Sequence, residues 1–475
     1  MRIVAARCSV LNRSRALLIL LCLSGALLSS GQTESKLPAE LRQKIDHAAQ
    51  DVLAQTGVPS ASIAVVKDGE IAYVRAYGSA RLEPSTPAKP EMRYSIGSIS
   101  KQFTSAAVLL LAEERKLSLD DPVGKYIPNL TRANEVTIRQ LLSHTSGYQD
   151  YWPQDYVPPF MTRPVTADKI LDLWARKALD FDPGTQWQYS NTNYVIAGVI
   201  VEKVSGKPLL SFLNERVFAP VGMQRVENID LKGLGAEDAA GYMRFALGPL
   251  RVAPKEGPGW LFAAGELAMP ANELAKWDIS MLRQRLLKPA SYKEMETEVR
   301  LKDGSGTGYA LGLQTGSING HRVVRHGGEV SGYTAANVVF PDDNIAIVVL
   351  TNQDAVSASG SIARKIADLL LAPKSGDTKL QQARDIFSAF QHGKIDRSLF
   401  TDNANAYFTA QALKDFASSL APLGDPREFV QTGEHSRGGM MLRDFKATFA
   451  GRTLSISTFE MPDGKLEQYL VSAAN

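Results

Sequence analysis

The chain has 475 residues, 44% of them hydrophobic and 22% charged, enough apolar material for two or three globular domains and too much for a disordered chain. Basic and acidic residues nearly balance, 53 against 50, so no basic face for nucleic acid is implied. Both cysteines, Cys8 and Cys22, precede residue 32, and the six histidines form no His-x-x-x-His cluster; this excludes a disulfide framework, a thiol nucleophile or a locally encoded metal site from the rest of the chain.

Residues 1–31 carry Arg2, Arg7, Arg13 and Arg15 with no acid, then an apolar run over 16–28, then Ser29-Ser-Gly31. This pattern reads as a secretory signal peptide. The run is short for a bilayer crossing, and Leu20 and Leu21 before Cys22 do not suit a lipidation site. Its removal would leave 49 basic against 50 acidic residues. The expectation is an exported protein, periplasmic or secreted, without a stable membrane anchor once the leader is gone.

Leu41, Ile45, Ala48 and Val52 recur at helical spacing and predict a first helix over 38–54. Two apolar runs, 60–66 and 70–77, flank Lys67-Asp-Gly69 and predict a β-hairpin. A buried helix follows over 98–117, apolar on most sides. Residues 118–317 read as helices and long loops punctuated by Pro122, Pro153, Pro183 and Pro258, an insertion between the halves of one sheet. Strands return at 321–326, 333–340 and 345–351, then a helix near 359–371. Residues 373–379 form a linker. Beyond it, 380–475 reads as a small α+β domain, with helical patterns at 380–392 and 409–423 and strand-like runs at 429–433, 440–449, 453–459 and 465–471. The expected class is α/β: an α/β/α sandwich around an antiparallel sheet over 32–372, with an inserted all-helical lobe and the small C-terminal domain.

Three short motifs carry chemistry. In Ser98-Ile-Ser-Lys101, a lysine three residues after a serine on a helix lies one turn away on the same face, able to take the hydroxyl proton. Taken alone, this spacing arises easily by chance. Tyr189-Ser-Asn191 follows the turn Asp182-Pro-Gly184, and residues two apart in an extended loop point to one side. A tyrosine near a lysine ammonium loses its proton more readily, which suits a general base, while Asn191 can fix the lysine and a substrate carbonyl. His326-Gly-Gly328-Glu329 ends a strand, and the glycines allow a ligand close to backbone N–H groups that can donate to an oxyanion.

With Ser95-Ile-Gly-Ser98, Leu141-Leu-Ser-His-Thr-Ser-Gly147 and Gly308-Tyr-Ala-Leu-Gly312 added to these motifs, residues 37–372 resemble the serine β-lactamase and penicillin-binding-protein superfamily, in the branch holding class C β-lactamases, D-peptidases and esterases. The resemblance implies Ser98 as the acylated nucleophile, Lys101 as its proton-relaying partner, and Tyr189 as the base that also activates the deacylating water. Asn191 would orient the acyl amide or Lys101, and His326 would complete the catalytic set. The oxyanion hole would be the N–H groups of Ser98 and Glu329, with Gly327, Gly328 and Trp260 contacting substrate, although core packing suits Trp260 equally. His144 would be structural. No metal or organic cofactor is implied.

His326 stands where such β-lactamases have the lysine of Lys-Thr-Gly, and histidine is only partly charged near neutrality. The resemblance therefore favours a peptidase or esterase acting on a small-molecule or peptide substrate over a true β-lactamase. A non-catalytic peptide-binding scaffold stays open as a third reading. The C-terminal domain is similar to a nuclear-transport-factor-like cone, a type that often mediates self-association; Arg437-Gly-Gly439 reads as a turn.

Overall fold

The computed structural model describes residues 36–372 and 378–474. The expected leader and most of the expected linker lie outside the described residues.

Helix α1 (Ala39–Thr56) stops at Gly57, whose φ of 72° lets its N–H close on Leu53 O. Strands β1 (Ser60–Lys67) and β2 (Glu70–Leu82) form the hairpin. Asp68 and Gly69 take φ of 54° and 72°, the paired positive values that a two-residue type I′ turn requires. A 3₁₀ turn, Gly97–Ser100, then runs directly into α2 (Lys101–Glu113). This helix is buried from Lys101 through Leu111; its polar residues Gln102 and Thr104 are satisfied by Asn337 and by Ala263 O, as burial demands.

The insertion contributes α3 (Asn191–Ser205) and α4 (Ala271–Leu282). It is not wholly helical as expected: Leu267–Met269 pairs with Tyr94–Ser95 and Glu227–Asn228, and Tyr242–Met243 pairs with Arg251–Val252. Strands of two or three residues are too short to show an alternating pattern. After the insertion come β3 (Gln314–Ile318), β4 (His321–Val330), β5 (Tyr333–Phe340), β6 (Ile345–Thr351) and α5 (Ala358–Leu370). β4 runs past the expected end at His326, because Gly327, Gly328 and Glu329 stay in register with Ala336, Ala335 and Thr334 of β5.

The remaining elements are α6 (Thr378–Gln391), α7 (Ala410–Leu420), β7 (Glu428–Arg437), β8 (Met440–Thr448), β9 (Thr453–Glu460) and β10 (Leu466–Ala473). They enclose their own core of Phe387, Phe390, Phe400, Phe408, Phe429 and Phe445. Yet the sheet does not stop at the linker. One antiparallel, eleven-stranded sheet runs β10-β9-β8-β7-β3-β4-β5-β6-β1-β2, with Ser85–Pro87 beyond β2, joined across the two parts at Glu434 and Ser317.

The inner strands β1 and β6 are buried along almost their whole length, as strands covered on both faces must be. On one face, Ile45, Val52, Ile362 and Ile366 of α1 and α5 meet Ile63, Val323 and Ile347. On the other, Phe103 and Trp277 of α2 and α4 meet Ala64, Val324 and Val348. The second face places the start of α2 beside β4. There the fit is tight: a Cβ on Gly328 would lie 1.9 Å from Ile96 O, so only glycine lets the strand approach this closely.

Candidate active site

Ser98 sits in the 3₁₀ turn and Lys101 opens α2, so the helical spacing read from sequence is realised at the start of a buried helix. The Lys101 side chain is fully buried. Its Nζ lies 3.0 Å from Ser98 Oγ, 2.8 Å from Asn191 Oδ1 and 2.8 Å from Ala264 O. Burial pushes its pKa from the ordinary 10.5 down to about 7, while the Asp150 carboxylate pulls it back up. Near neutral pH a large fraction of Lys101 is therefore a free amine beside a serine hydroxyl, able to accept its proton.

Tyr189 faces the same point. Its ring covers the Lys101 ammonium at 5.0 Å and packs on His144 at 4.2 Å. Contrary to the sequence expectation, its hydroxyl does not lose its proton easily: burial drives its pKa above the ordinary 10, and Ser98 beside it offsets only part of the rise. Tyr189 therefore keeps its proton near neutral pH, where Lys101 is close to its own pKa of about 7.

Asn191 is the first residue of α3, following extended Ser190, so it shares the cleft side with Tyr189. It accepts from Lys101, while its backbone N–H and Nδ2 donate to Asp150 at 2.9 and 3.2 Å. Sequence reasoning missed Asp150. Its carboxyl is largely buried, which raises its pKa, and N–H groups of Asn191 and Trp152 hold it against that rise. The signal was an acid set among aromatics in Tyr148-Gln-Asp-Tyr-Trp152, where burial without partners would be costly.

His326 is buried, and both ring nitrogens are engaged: Nε2 lies 2.7 Å from the Tyr309 hydroxyl and Nδ1 2.5 Å from Gly327 O. Burial, then repulsion from Lys101, lowers its pKa to about 4. A neutral imidazole that donates from Nδ1 and accepts from Tyr309 fits both contacts. It lines the cleft with Ser98, but as an uncharged wall. His144 is buried too, its Nδ1 accepting from Ser190 N–H at 3.2 Å; desolvation pulls its pKa well below 6.5.

β3 pairs with β4 only opposite His321–Arg325, so the β4 edge from Gly327 onward turns to the Ser98 turn. A Cβ on Gly97 would lie 2.7 Å from Glu329 N, so the Glu329 backbone packs directly against the residue before Ser98. Two chambers meet at Ser98, Tyr189 and Glu329. One, about 560 Å³, lies under residues 150–157 and holds Asp150, Asp155, Glu329 and Asp354. The other, about 780 Å³, follows the β4 edge past Gly327 and His326 to Arg325, Arg364 and Thr432. Trp260 lines neither. It is 4% exposed, donates from Nε1 to Arg163 O at 2.7 Å and packs among Tyr151, Phe160 and Trp174, so it supports the wall without reaching substrate space.

Residues 45–372 match the family model described as Beta-lactamase. A D-aminopeptidase from Brucella anthropi is 28% identical over 329 residues, 68% of this chain but only 62% of that protein. The matched stretch thus spans less than two thirds of this relative. A D-stereospecific amidohydrolase from Streptomyces sp. superposes with TM-score 0.60 at 27% identity, covering 69% of this chain and 97% of that one. A penicillin-binding protein homologue from Pyrococcus abyssi shares the fold over 90% of this chain and 99% of its own, with TM-score 0.62 at 23% identity. With the family match spanning well over half of its length and the Ser98 cleft lying inside it, the chain belongs to the beta-lactamase family.

Proposed function

We propose that the protein is an exported serine hydrolase that forms an acyl-enzyme on Ser98 and releases D-amino acids from small amides and short peptides. One observation carries this reading: a buried amine with a pKa of about 7 sits 3.0 Å from the Ser98 hydroxyl. As Oγ attacks the carbonyl, neutral Lys101 accepts its proton. The developing oxyanion is met by the N–H groups of Ser98 and Glu329. Tyr189, protonated and facing Ser98, passes a proton to the departing amine and recovers one from Lys101. Water then attacks the ester by the same route in reverse, with Asn191 holding Lys101 in place.

The amine-bearing end of a peptide suits the first chamber, which is lined by four carboxylates and by no lysine, arginine or histidine among the described residues. The neutral His326 beside it offers no cation for a β-lactam carboxylate. Both features agree with the names of the D-aminopeptidase and amidohydrolase relatives. The test is covalent labelling by a fluorophosphonate with parallel turnover of D- and L-alanine p-nitroanilide, a short-chain nitrophenyl ester and a chromogenic cephalosporin. Labelling and D-anilide turnover are expected in the wild type and lost in Ser98→Ala. A dominant cephalosporin rate would instead establish a β-lactamase, and no adduct at all a scaffold.

A further inference from the structure

We propose that Arg325 is a carboxylate-binding residue of the second chamber, holding the free C-terminus of a short peptide leaving group; this rests on the hydrolase reading above. Arg325 is the last β4 residue paired to β3, opposite Gln314. Alternation along the strand sets it on the Val323 face, while His326 shares the Val324 face with α2. At that point the covering strand ends, and the chamber wraps over the exposed edge to include Arg325, Gln314 and, from the C-terminal part, Thr432.

The side chain is half-buried, and among the described residues it makes no side-chain hydrogen bond and no ion pair. Its charged neighbours make matters worse. Arg364 lies close enough to disfavour its charge, and His435 is in turn disfavoured by Arg325. Arg364 is already satisfied: it pairs with Asp368 at 3.0 Å, donates to Asn319 Oδ1 at 2.9 Å and to Thr432 O. Glu329 is the one carboxylate of this chamber, at its Ser98 end, and its Oε1 accepts from Ala355 N–H at 2.8 Å. A guanidinium without a counter-ion beside a second cation is left open to an anion, and the guanidinium fork matches a carboxylate.

The two chambers are thus oppositely charged, acidic where an acyl-side amine would lie and basic on the leaving-group side. Glu329 and Arg325 are four strand residues apart, about 13 Å, so with the reach of the arginine a leaving group of two or three residues spans the gap.

The test compares D-Ala-Gly-Gly with its C-terminal carboxamide, using D-alanine p-nitroanilide as a substrate with a neutral leaving group. In the wild type the free acid is expected to have a kcat/KM about 10- to 100-fold above the carboxamide, carried mainly by KM. Arg325→Gln should remove that preference while leaving the anilide within about threefold, and Arg325→Lys should restore part of it. Equal rates on acid and carboxamide in the wild type, an unchanged preference in Arg325→Gln, or turnover of the anilide without either peptide would each overturn the proposal. If the anilide is also inert and Ser98 takes no label, the hydrolase reading has failed, a result recognisable apart from the others.

Discussion

The decisive perturbation is of pH, read against Lys101. Its drop from 10.5 to about 7 corresponds to about 5 kcal/mol between the protonated and free forms. Two measurements should see it. First, the rate of fluorophosphonate labelling at Ser98 should rise with pH through a midpoint near 7, with about a tenth of the plateau rate one pH unit below it, because only the free amine accepts the serine proton. Second, the same group makes stability depend on pH. Between about pH 7 and 10.5 the unfolded chain keeps a proton on Lys101 that the folded protein has released, so unfolding takes up a proton and stability rises with pH across that window. Lys101→Met removes this contribution. Urea unfolding of the wild type should therefore gain on the variant by about 4 kcal/mol from pH 6.5 to 10.5, even though the variant's absolute stability also reflects the acceptors left unpaired on Asn191 and Ala264. Parallel stability curves, or a labelling profile that stays flat from pH 5.5 to 8.5, would refute Lys101 as the base.

Asp150 pulls the Lys101 pKa upward, so Asp150→Asn should move the labelling midpoint to lower pH and, through a looser Asn191, slow turnover about tenfold. Gly328→Ala should destabilise the fold by about 3 kcal/mol, since its Cβ would lie 1.9 Å from Ile96 O. Gly327→Ala is the control, its Cβ meeting nothing nearer than Ala335 O at 3.8 Å, and should stay near wild-type stability in thermal melts.

The residues that touch Ser98 were legible because local spacing decides them. A serine and a lysine at the start of an apolar helix need only that helix to form, and Tyr189 and Asn191 need only an extended residue between them. β1, β5 and β6 were equally readable, since strands buried on both faces are largely apolar, and β2 was readable from the turn that joins it to β1. What escaped was set by tertiary context. β3, with Gln314-Thr-Gly-Ser ahead of its one apolar residue, has no strand pattern and exists because β4 and β7 pair with its two edges. Asp150 looks like an ordinary loop acid until Asn191 is seen donating to it twice. The raised pKa of Tyr189 was hidden for the same reason, because residue types reveal a nearby cation but not the burial that opposes it.

The substitution of histidine for the lysine of the third motif gains a physical meaning from these contacts. Lys101 and His326 repel one another when charged, and a permanent ammonium at position 326 would lower the Lys101 pKa beyond what burial already does. It would also leave the Tyr309 hydroxyl facing a group that cannot accept its hydrogen bond, whereas neutral His326 accepts it at 2.7 Å. His326 thus leaves the positive charge beside Ser98 to Lys101, near the pH at which it exchanges its proton. The cation that would meet a substrate carboxylate is then displaced one residue along β4 and onto its other face, at Arg325. There it is separated from Lys101 by the sheet itself and can hold an anion without disturbing the base.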